Sequence, residues 1–287
     1  MDSKLVTLTV ISLCALNVCS FLSAPTSSDL PVYKQSDRNI ASTEFKPRKK
    51  PIIVAVIDTG ISDRLAKMPY LCKVGHKDFT GTGLNDNHGH GSHISGLIQQ
   101  YVTNNILSKT TTKSKLDRMF FTKSPYCQVI LKYYDPTQQN ADTLAQEIQA
   151  IQYAINIKVD YINFSGGGTT KSQEEIDLIK KALDSGIKIV VAAGNEDANI
   201  DEVTTKDSDI KYEHYYPAND DPRITIVGNL SQNNQRCPSS NYGSTVNAWE
   251  IGENVMSTTI NGFGIMTGTS QATAIKTGKL IREALLH

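Results

Sequence analysis

Apolar runs of strand length alternate with segments of helical periodicity along most of this chain. The first run, residues 52–57, is continuous and leads into Asp58-Thr59-Gly60, which is typical of a buried strand followed by a turn. Strands that alternate with helices predict a single α/β domain, built on a mostly parallel β-sheet with helices on both faces. The other predicted strands cover residues 129–133, 161–164, 187–192 and 224–227.

Three helices are predicted from the spacing of apolar residues. The first covers residues 141–157. Ser172 and Glu175 form a capping box at the start of the second helix, and Gly186 is expected to end it. The faces expected to be buried are Leu144, Ile148, Ile151 and Ile155 in the first helix and Ala274, Gly278, Ile281 and Leu285 in the third.

Three short segments next to glycines carry an acid, a base and a nucleophile, in that order along the chain. They contain Asp58, His90 in the sequence HGSH and Ser270 in the sequence GTSQA. A serine hydroxyl becomes a good nucleophile only when a positioned base takes its proton. Ser270 also opens a stretch of helical spacing, and a helix N-terminus favours negative charge that develops near it. The three segments therefore predict serine-based nucleophilic catalysis.

The predicted sheet places several polar side chains at one edge. In parallel sheets, binding and catalytic sites form at the carboxyl ends of the strands. Asp58, Ser165 and Asn195 each come after a predicted strand. We therefore expect these three side chains to lie at the same edge of the sheet.

The three segments and their order resemble those of the subtilisin-like serine proteases. The resemblance covers about residues 52–284 and implies the subtilisin-like α/β fold and endopeptidase activity. It implies that Asp58 orients the imidazole of His90, that His90 is the general base and that Ser270 is the nucleophile. The sequence VVAAGNE at 190–196 is similar to the family segment whose asparagine donates to the oxyanion, which is Asn195 here.

A further segment is similar to the part of the family that binds the substrate backbone. The sequence YINFSGG ends in Ser165, Gly166 and Gly167, and the resemblance implies that these residues pair with the peptide as an added strand. Because relatives often carry a bulkier residue at the position of Gly166, we expect a roomier groove there. Ala192 and Gly194 are expected to line the primary pocket with small groups.

The N-terminal region predicts export. Residues 5–24 are apolar, follow Lys4 and give way to a polar stretch, so residues 1–24 are interpreted as a signal peptide of a secreted or periplasmic, cell-envelope enzyme. Cleavage after Ser20 and cleavage after Ala24 both remain open. A lipid anchor at Cys19 is an alternative that we do not favour. Residues 25–50 are polar, end in a basic cluster and are interpreted as a tether or a short pro-segment.

The predicted peptidase domain, residues 51–287, contains a basic insert at about 99–126 with one acidic residue, Asp117. Calcium requires several oxygen ligands, usually including carboxylates, so the insert argues against a calcium site. Removal of the signal peptide leaves three cysteines, which allow at most one internal disulfide, and the pairing stays open. These cysteines are Cys72, Cys127 and Cys237.

Composition excludes little beyond nucleic-acid binding. The chain has 287 residues and a formal net charge of zero, so it has no overall attraction to nucleic acid or to an anionic membrane. After the signal peptide, no stretch is long and apolar enough to span a bilayer. We expect a monomer that acts on a peptide or protein substrate and uses no cofactor.

Two alternatives belong to other functional classes. His88, His90 and His93 resemble the first ligand cluster of metallo-β-lactamase-like zinc hydrolases. That family has an aspartate where this chain has Ser92, and zinc chemistry would leave Ser270 unexplained. The second alternative is a catalytically silent binding or regulatory protein with the subtilase fold. The presence of all three catalytic residue types and of Asn195 argues against it.

Overall fold

A parallel sheet of seven strands forms the centre of the molecule. The structure, a computed structural model, describes residues 50–109, 125–138, 141–201 and 214–287. All pairings within this sheet are parallel, in the spatial order β2-β3-β1-β4-β5-β6-β7. The strands are β1 (Ile52–Asp58), β2 (Lys77–Asp78), β3 (Tyr126–Lys132), β4 (Tyr161–Phe164), β5 (Lys188–Ala192), β6 (Thr225–Leu230) and β7 (Ala248–Ile251).

In the part of the chain that the structure describes, four helices cover the two faces of the sheet. Side chains of β1 alternate between the faces, with Ile57 in the core beneath α2 and α3 and Val56 in the core beneath α1 and α4. This arrangement confirms the predicted α/β class. The helices are α1 (His90–Lys109), α2 (Thr143–Asn156), α3 (Gln173–Asp184) and α4 (Thr269–Leu286).

The sequence missed the strands that lack a continuous apolar run. These are β2, β7 and a separate antiparallel hairpin made of β8 (Val255–Thr259) and β9 (Gly262–Met266). The hairpin packs one side against α1 and leaves Phe263 and Ile265 exposed. Exposure alternates along β9, but its exposed positions are the apolar Phe263 and Ile265, so the sequence does not show the alternation of apolar and polar residues that indicates a half-buried strand.

The sequence predicted no helix at α1, whose second half falls in the predicted basic insert, whereas the bounds of α2 and α3 agree closely with their predictions, with one correction. The Ser172 hydroxyl accepts a hydrogen bond from the Glu175 backbone N–H (3.3 Å), which is the first half of the predicted capping box. The Glu175 side chain does not complete the box, because it is buried and turns toward Glu147 on α2. Gly186 follows the end of α3 with a φ of +88°, as expected of a residue that stops a helix.

The predicted inner face of α4 is confirmed. Ala274, Gly278, Ile281 and Leu285 are all buried. A Cβ atom at Gly278 would lie 2.7 Å from the Tyr101 Cβ atom, so the absence of a side chain lets α4 approach α1 closely. His90 and Ser270 lie at the N-terminal ends of α1 and α4.

One disulfide joins Cys72 to Cys127, which resolves the pairing that the sequence left open. Cys237 is buried as a thiol. Across the described ranges, no helix combines the length and the apolar character that a bilayer crossing requires. The predicted signal peptide, the predicted tether except its last residue, and the central part of the predicted basic insert lie outside the described residues.

Candidate active site

Asp58 and His90 form a hydrogen-bonded pair at the carboxyl edge of the sheet. Asp58 ends β1 and His90 begins α1, and the distance between His90 Nδ1 and Asp58 Oδ1 is 2.8 Å. The Asp58 side chain keeps 3% of its surface exposed and that of His90 keeps 20%. Because a carboxylate can only accept, Nδ1 carries the hydrogen, and in the neutral imidazole Nε2 is then free to accept a proton.

The surroundings of His90 favour its protonated form. Burial on its own would lower the pKa of His90, but the charge and hydrogen bond of Asp58 and the charge of Asp86 outweigh it, so the pKa is raised. A base with a raised pKa accepts a proton more readily, which suits the task of deprotonating a hydroxyl.

Asp86, which sequence reasoning missed, links β1 to the start of α1. It keeps 1% of its surface exposed. Its Oδ1 accepts from the Thr59 hydroxyl (2.8 Å) and the Gly89 N–H (2.7 Å), while Oδ2 accepts from the Ser92 N–H (2.8 Å) and hydroxyl (2.7 Å). The Thr59 hydroxyl in turn accepts from the Gly91 N–H (2.8 Å). A carboxylate placed just before a helix N-terminus was the sequence signal for this contact.

A buried ion pair supports the loop that precedes α1. Lys132 ends β3 and pairs in register with Asp58. The Lys132 ammonium donates to Asp135 Oδ2 (2.7 Å) and to the Asn85 carbonyl (2.7 Å), and both charged side chains are fully buried. A lysine at the end of an otherwise apolar strand was the signal in the sequence for this pair.

Ser270 lies in the first turn of α4 and contacts the chain that follows β4. Its hydroxyl donates to the Ser165 carbonyl (2.8 Å), and the Ser165 hydroxyl donates to the Ser270 carbonyl (3.2 Å). Ser165 follows Phe164, which pairs with Ile57 of β1, so Ser165 and Asp58 are neighbours at the sheet edge. Among the hydrogen bonds of the described residues, none joins Ser270 to His90. Such bonds are often long or poorly aligned until substrate is bound.

Asn195 lies beside the same turn of α4. Its Oδ1 accepts from the Thr269 N–H (3.0 Å) and hydroxyl (3.2 Å). The Asn195 backbone N–H donates to Glu196 Oε2 (2.7 Å). Because the Thr269 N–H and hydroxyl both donate to the side-chain oxygen, the Asn195 NH₂ group is oriented away from Thr269 as a donor.

Similarity to known proteins agrees with this geometry. Residues 49–282 match the model of the subtilase family. The chain belongs to the subtilase family. It is 29% identical to the major intracellular serine protease of Bacillus subtilis (strain 168), over 80% of this chain and 67% of that protein. It is 31% identical to the thermostable alkaline protease of Halalkalibacterium halodurans, over 77% of this chain and 53% of that protein.

Further relatives point the same way. Subtilisin E of Bacillus subtilis (strain 168) is 31% identical over 77% of this subtilase and 52% of that protein. This chain thus spans about half the length of subtilisin E and of the alkaline protease. The matched domain is of the serine endopeptidase class.

Two solved structures resemble the fold. A cold adapted subtilisin-like serine proteinase has a TM-score of 0.59 at 22% identity and covers 79% of this chain and 72% of its own. A lanthipeptide protease has a TM-score of 0.62 at 17% identity and covers 79% of this chain and 71% of its own. At these identities the two structures support the subtilisin-like fold alone.

The space beside Gly166 of this subtilase is occupied on the side where a Cβ atom would point. A Cβ atom on Gly166 would lie 2.4 Å from the Tyr133 hydroxyl oxygen and 3.1 Å from the Phe164 ring. Tyr133 therefore fills the space that the missing side chain leaves, and the expected width of the substrate groove at Gly166 stays a prediction. Substrate contact at Ser165, Gly166 and Gly167 stays a prediction.

Ala192 and Gly194 lie at the end of β5 and just after it. Ala192 is buried. Gly194 has a φ of +98°, and a Cβ atom there would lie 2.3 Å from Asn241 Nδ2, so both backbone conformation and space require glycine. The contribution of these two residues to a primary pocket stays a prediction.

The three histidines of the zinc alternative do not form a metal site. His93 is buried and its Nε2 donates to the Gly264 carbonyl (3.2 Å). Burial and the nearby His90 charge lower the pKa of His93 to about 4, and the same two causes lower the pKa of His88. Within the described ranges, no group of three His, Cys, Asp or Glu side chains is arranged to hold a metal ion.

Proposed function

We propose that this subtilase is an exported serine endopeptidase in which Asp58, His90 and Ser270 form the catalytic triad. The observation that carries the proposal is the 2.8 Å hydrogen bond between His90 Nδ1 and Asp58 Oδ1. It directs the imidazole at the sheet edge where Ser165 and Ser270 hydrogen-bond to each other. This one pair of a base and a carboxylate is sufficient for the proposed chemistry.

In the acylation step, Ser270 Oγ attacks the scissile carbonyl carbon while His90 Nε2 takes the hydroxyl proton. Asp58 keeps the proton of Nδ1 in place and stabilises the imidazolium that forms. The carbonyl oxygen becomes an oxyanion, which accepts hydrogen bonds from the Asn195 NH₂ group and the Ser270 backbone N–H.

Collapse of this intermediate breaks the peptide C–N bond. His90 passes its proton to the leaving amine, and the acyl group remains on Ser270. A water molecule then attacks the ester carbonyl, with His90 again as the base, and releases the carboxylic acid and the free hydroxyl. The acid and amine products account for all atoms of the peptide and the water.

Substrate recognition in this proposal uses backbone pairing. Ser165, Gly166 and Gly167 accept the peptide as an added strand, because β-strand addition supplies main-chain hydrogen bonds without selecting a side chain. Ala192 and Gly194 line the primary pocket with small groups. The substrate is a peptide or protein, and the enzyme acts as a monomer.

The proposed chain organisation is a signal peptide at 1–24, a tether or pro-segment at 25–50 and a peptidase domain at 51–287. The apolar run at 5–24 and the Cys72–Cys127 disulfide support export, because disulfides persist in oxidising compartments. N-terminal sequencing of the mature protein should begin after Ser20 or Ala24. A mature protein that retains residues 1–20 would contradict export through this segment.

The decisive experiment is labelling by a fluorophosphonate probe, which reacts only with an activated serine. The wild-type protein should be labelled, and Ser270→Ala should abolish both labelling and peptide cleavage with unchanged far-UV circular dichroism. Ser185→Ala, at the end of α3, serves as the matched control and should retain labelling. A folded wild type that the probe does not label would instead favour the silent binding protein.

A second measurement separates serine from zinc chemistry. Phenylmethylsulfonyl fluoride should inactivate the enzyme, whereas brief treatment with a zinc chelator should leave peptide cleavage unchanged. Rapid loss of activity with the chelator, restored by added zinc, would return the assignment to His88, His90 and His93.

A further inference from the structure

The side chain of Asn241 is enclosed by the loop that carries Asn195. It is fully buried. Its Oδ1 accepts from the backbone N–H groups of Glu196 (3.0 Å) and Ala198 (2.9 Å). Its Nδ2 donates to the Ala193 carbonyl (2.9 Å) and to Glu196 Oε2 (2.6 Å). These four hydrogen bonds use both donors and both acceptor positions of the amide, and they lie on either side of Asn195 in the chain.

Glu196 connects Asn241 directly to the backbone of Asn195. Its Oε2 accepts from the Asn195 N–H (2.7 Å) as well as from Asn241 Nδ2 (2.6 Å). Hydrogen bonds to an ionised carboxylate are about twice as strong as those between neutral groups. Because a carboxylate only accepts, the orientation of the Asn241 amide is determined by its partners.

The loop that carries Asn195 packs tightly against the Asn241 side-chain amide. The Asn241 backbone N–H donates to the Gly194 carbonyl (3.0 Å). A Cβ atom on Gly194 would lie 2.3 Å from Asn241 Nδ2 and 2.5 Å from Glu196 Oε2. A glycine in the left-handed region therefore allows the amide and the carboxylate to meet beneath the loop.

We infer that Asn241 is a positioning residue for Asn195, acting through Glu196 to hold the oxyanion donor in place. The inference rests on the proposed role of Asn195. Thr269 fixes the Asn195 side-chain oxygen, and Glu196 with Asn241 fixes its backbone, so the NH₂ group is held before charge develops on the substrate. A preorganised donor stabilises the transition state because it needs no reorientation during the reaction.

The test is a double-mutant cycle between Asn241→Ala and Asn195→Gly, measured as kcat per titrated active site. Asn241→Ala alone should lower kcat by roughly 10-fold to 10²-fold, because small displacements of a catalytic group have effects of this size, and should leave KM nearly unchanged. In the Asn195→Gly background, the same substitution should change kcat by less than about two-fold.

The cycle separates the inference from the proposed function. If Asn195→Gly is slow and Asn241→Ala lowers kcat equally in both backgrounds, Asn241 does not act through Asn195 and the inference is wrong. If Asn195→Gly turns over at the wild-type rate, the oxyanion assignment itself fails, and the positioning role fails with it. Asn247→Ala is the matched control, since its amide also joins two backbone groups, Ile226 N–H (2.9 Å) and Ile224 carbonyl (2.8 Å). It should lower Tm and leave kcat unchanged.

If Asn241→Ala does not fold, two further variants that preserve the side-chain shape still test the inference. Asn241→Asp retains the shape and the two contacts to backbone N–H groups, but it places a second carboxylate against Glu196. Like charges at this distance should lower kcat. Adding Glu196→Gln should restore part of kcat, because the new amide can donate to the introduced carboxylate. Unchanged kcat in Asn241→Asp would overturn the inference.

Discussion

Two groups of carboxyl side chains, all of them buried except the half-buried Asp220, have different surroundings. The site group lies at the carboxyl edge of the sheet, at the end of β1 and in the loops before α1 and after β3. The helix group lies between α2 and α3 and in the loop before β6. The site group consists of Asp58, Asp86 and Asp135, and the helix group consists of Glu147, Glu175 and Asp220.

Donors surround Asp86 and Asp135 of the site group, whereas Glu147 and Glu175 of the helix group hydrogen-bond to each other. Asp86 accepts five hydrogen bonds and Asp135 accepts five. In the helix group, Glu147 Oε1, Glu175 Oε2 and both side-chain oxygens of Asp220 are buried and have no hydrogen-bond partner among the residues that the structure describes. Asp86 and Asp135 lie in loops, where backbone N–H groups can donate to them, whereas Glu147 lies inside α2, where the backbone N–H groups are already bonded within the helix.

The pKa values of Asp135, Glu147 and Asp220 differ according to whether hydrogen-bond donors surround the carboxyl group. Burial would raise the pKa of Asp135, but hydrogen bonds from Lys132 and Thr137 hold it well below its usual range. Burial and the adjacent Glu175 raise the pKa of Glu147 well above its usual range. Burial and Glu175 also raise the pKa of Asp220 to about 8. Asp135 therefore keeps its charge because donors supply hydrogen bonds, whereas Glu147 and Asp220 favour the protonated form.

The largest expected effect comes from comparing one isosteric substitution in the site group with one in the helix group. Asp58→Asn should lower kcat by roughly 10⁴, the loss measured for the equivalent change in a protease with a Ser-His-Asp triad, because the amide favours the wrong His90 tautomer. Glu147→Gln should leave kcat within about two-fold, since an uncharged amide replaces a carboxyl that is already protonated. Similar turnover in the two variants, measured after active-site titration, would remove the distinction.

The buried ion pair should show the next largest effect, on stability. Lys132→Met leaves the Asp135 carboxylate buried without its cation, which typically costs about 3–5 kcal/mol in the free energy of unfolding. Chemical denaturation at pH 7 measures this change. The double variant Lys132→Met with Asp135→Leu should recover part of the loss, because no unpaired charge remains. A single variant as stable as the wild type would show that the pair contributes nothing.

Asp86 should affect both the rate and its pH dependence. Asp86→Asn removes acceptor contacts at the start of α1, which should lower kcat/KM by up to roughly 10² through misplacement of His90. It also removes a negative charge that raises the His90 pKa. The charged and titratable groups near His90 are then Asp58, His88 and His93.

Since activity is lost as pH falls through the His90 pKa, the acidic limb of the kcat/KM profile should move to lower pH in Asp86→Asn. A purely structural role for Asp86 would lower the rate at every pH and leave the limb where it is.

The smallest effect concerns stability in the helix group. A pKa that is raised on folding contributes stability at low pH, and this contribution is lost as pH rises through the folded value. For Asp220 the window runs from its ordinary value of 3.8 to about 8. The wild-type Tm should therefore decrease between pH 5 and pH 8, and Asp220→Asn should reduce this decrease by about 2–4 °C. The groups that act on Asp220 are Glu175, Lys171, Lys180 and Asp221.

Calorimetry at the two pH values checks this prediction, and Asp142→Asn at the N-cap of α2 serves as an exposed control. Asp135 of the site group has the opposite sign, because its lowered pKa gives stability that is lost as pH falls toward its folded value. An equal dependence of Tm on pH in Asp220→Asn and the wild type would contradict the difference between the two groups.

Much of the fold follows from local patterns in the sequence. Continuous apolar runs predicted five strands of the main sheet, and the spacing of Ala274, Gly278, Ile281 and Leu285 predicted the buried face of α4. The segments around Asp58, His90 and Ser270 were found in the same way, because each depends on neighbours only a few residues away. The sequence alone therefore determined the fold class, the family and the candidate site residues.

Tertiary structure decided the features that depend on partners far apart in the chain. The amide of Asn241 meets a loop 45 positions away, and Asp86 meets Thr59 27 positions away. Likewise the disulfide partner of Cys72, the inward turn of Glu175 and the Tyr133 hydroxyl beneath Gly166 were set by packing. Periodicity records which residues are buried but not which neighbour each one meets, because that choice is made only when the strands and helices come together.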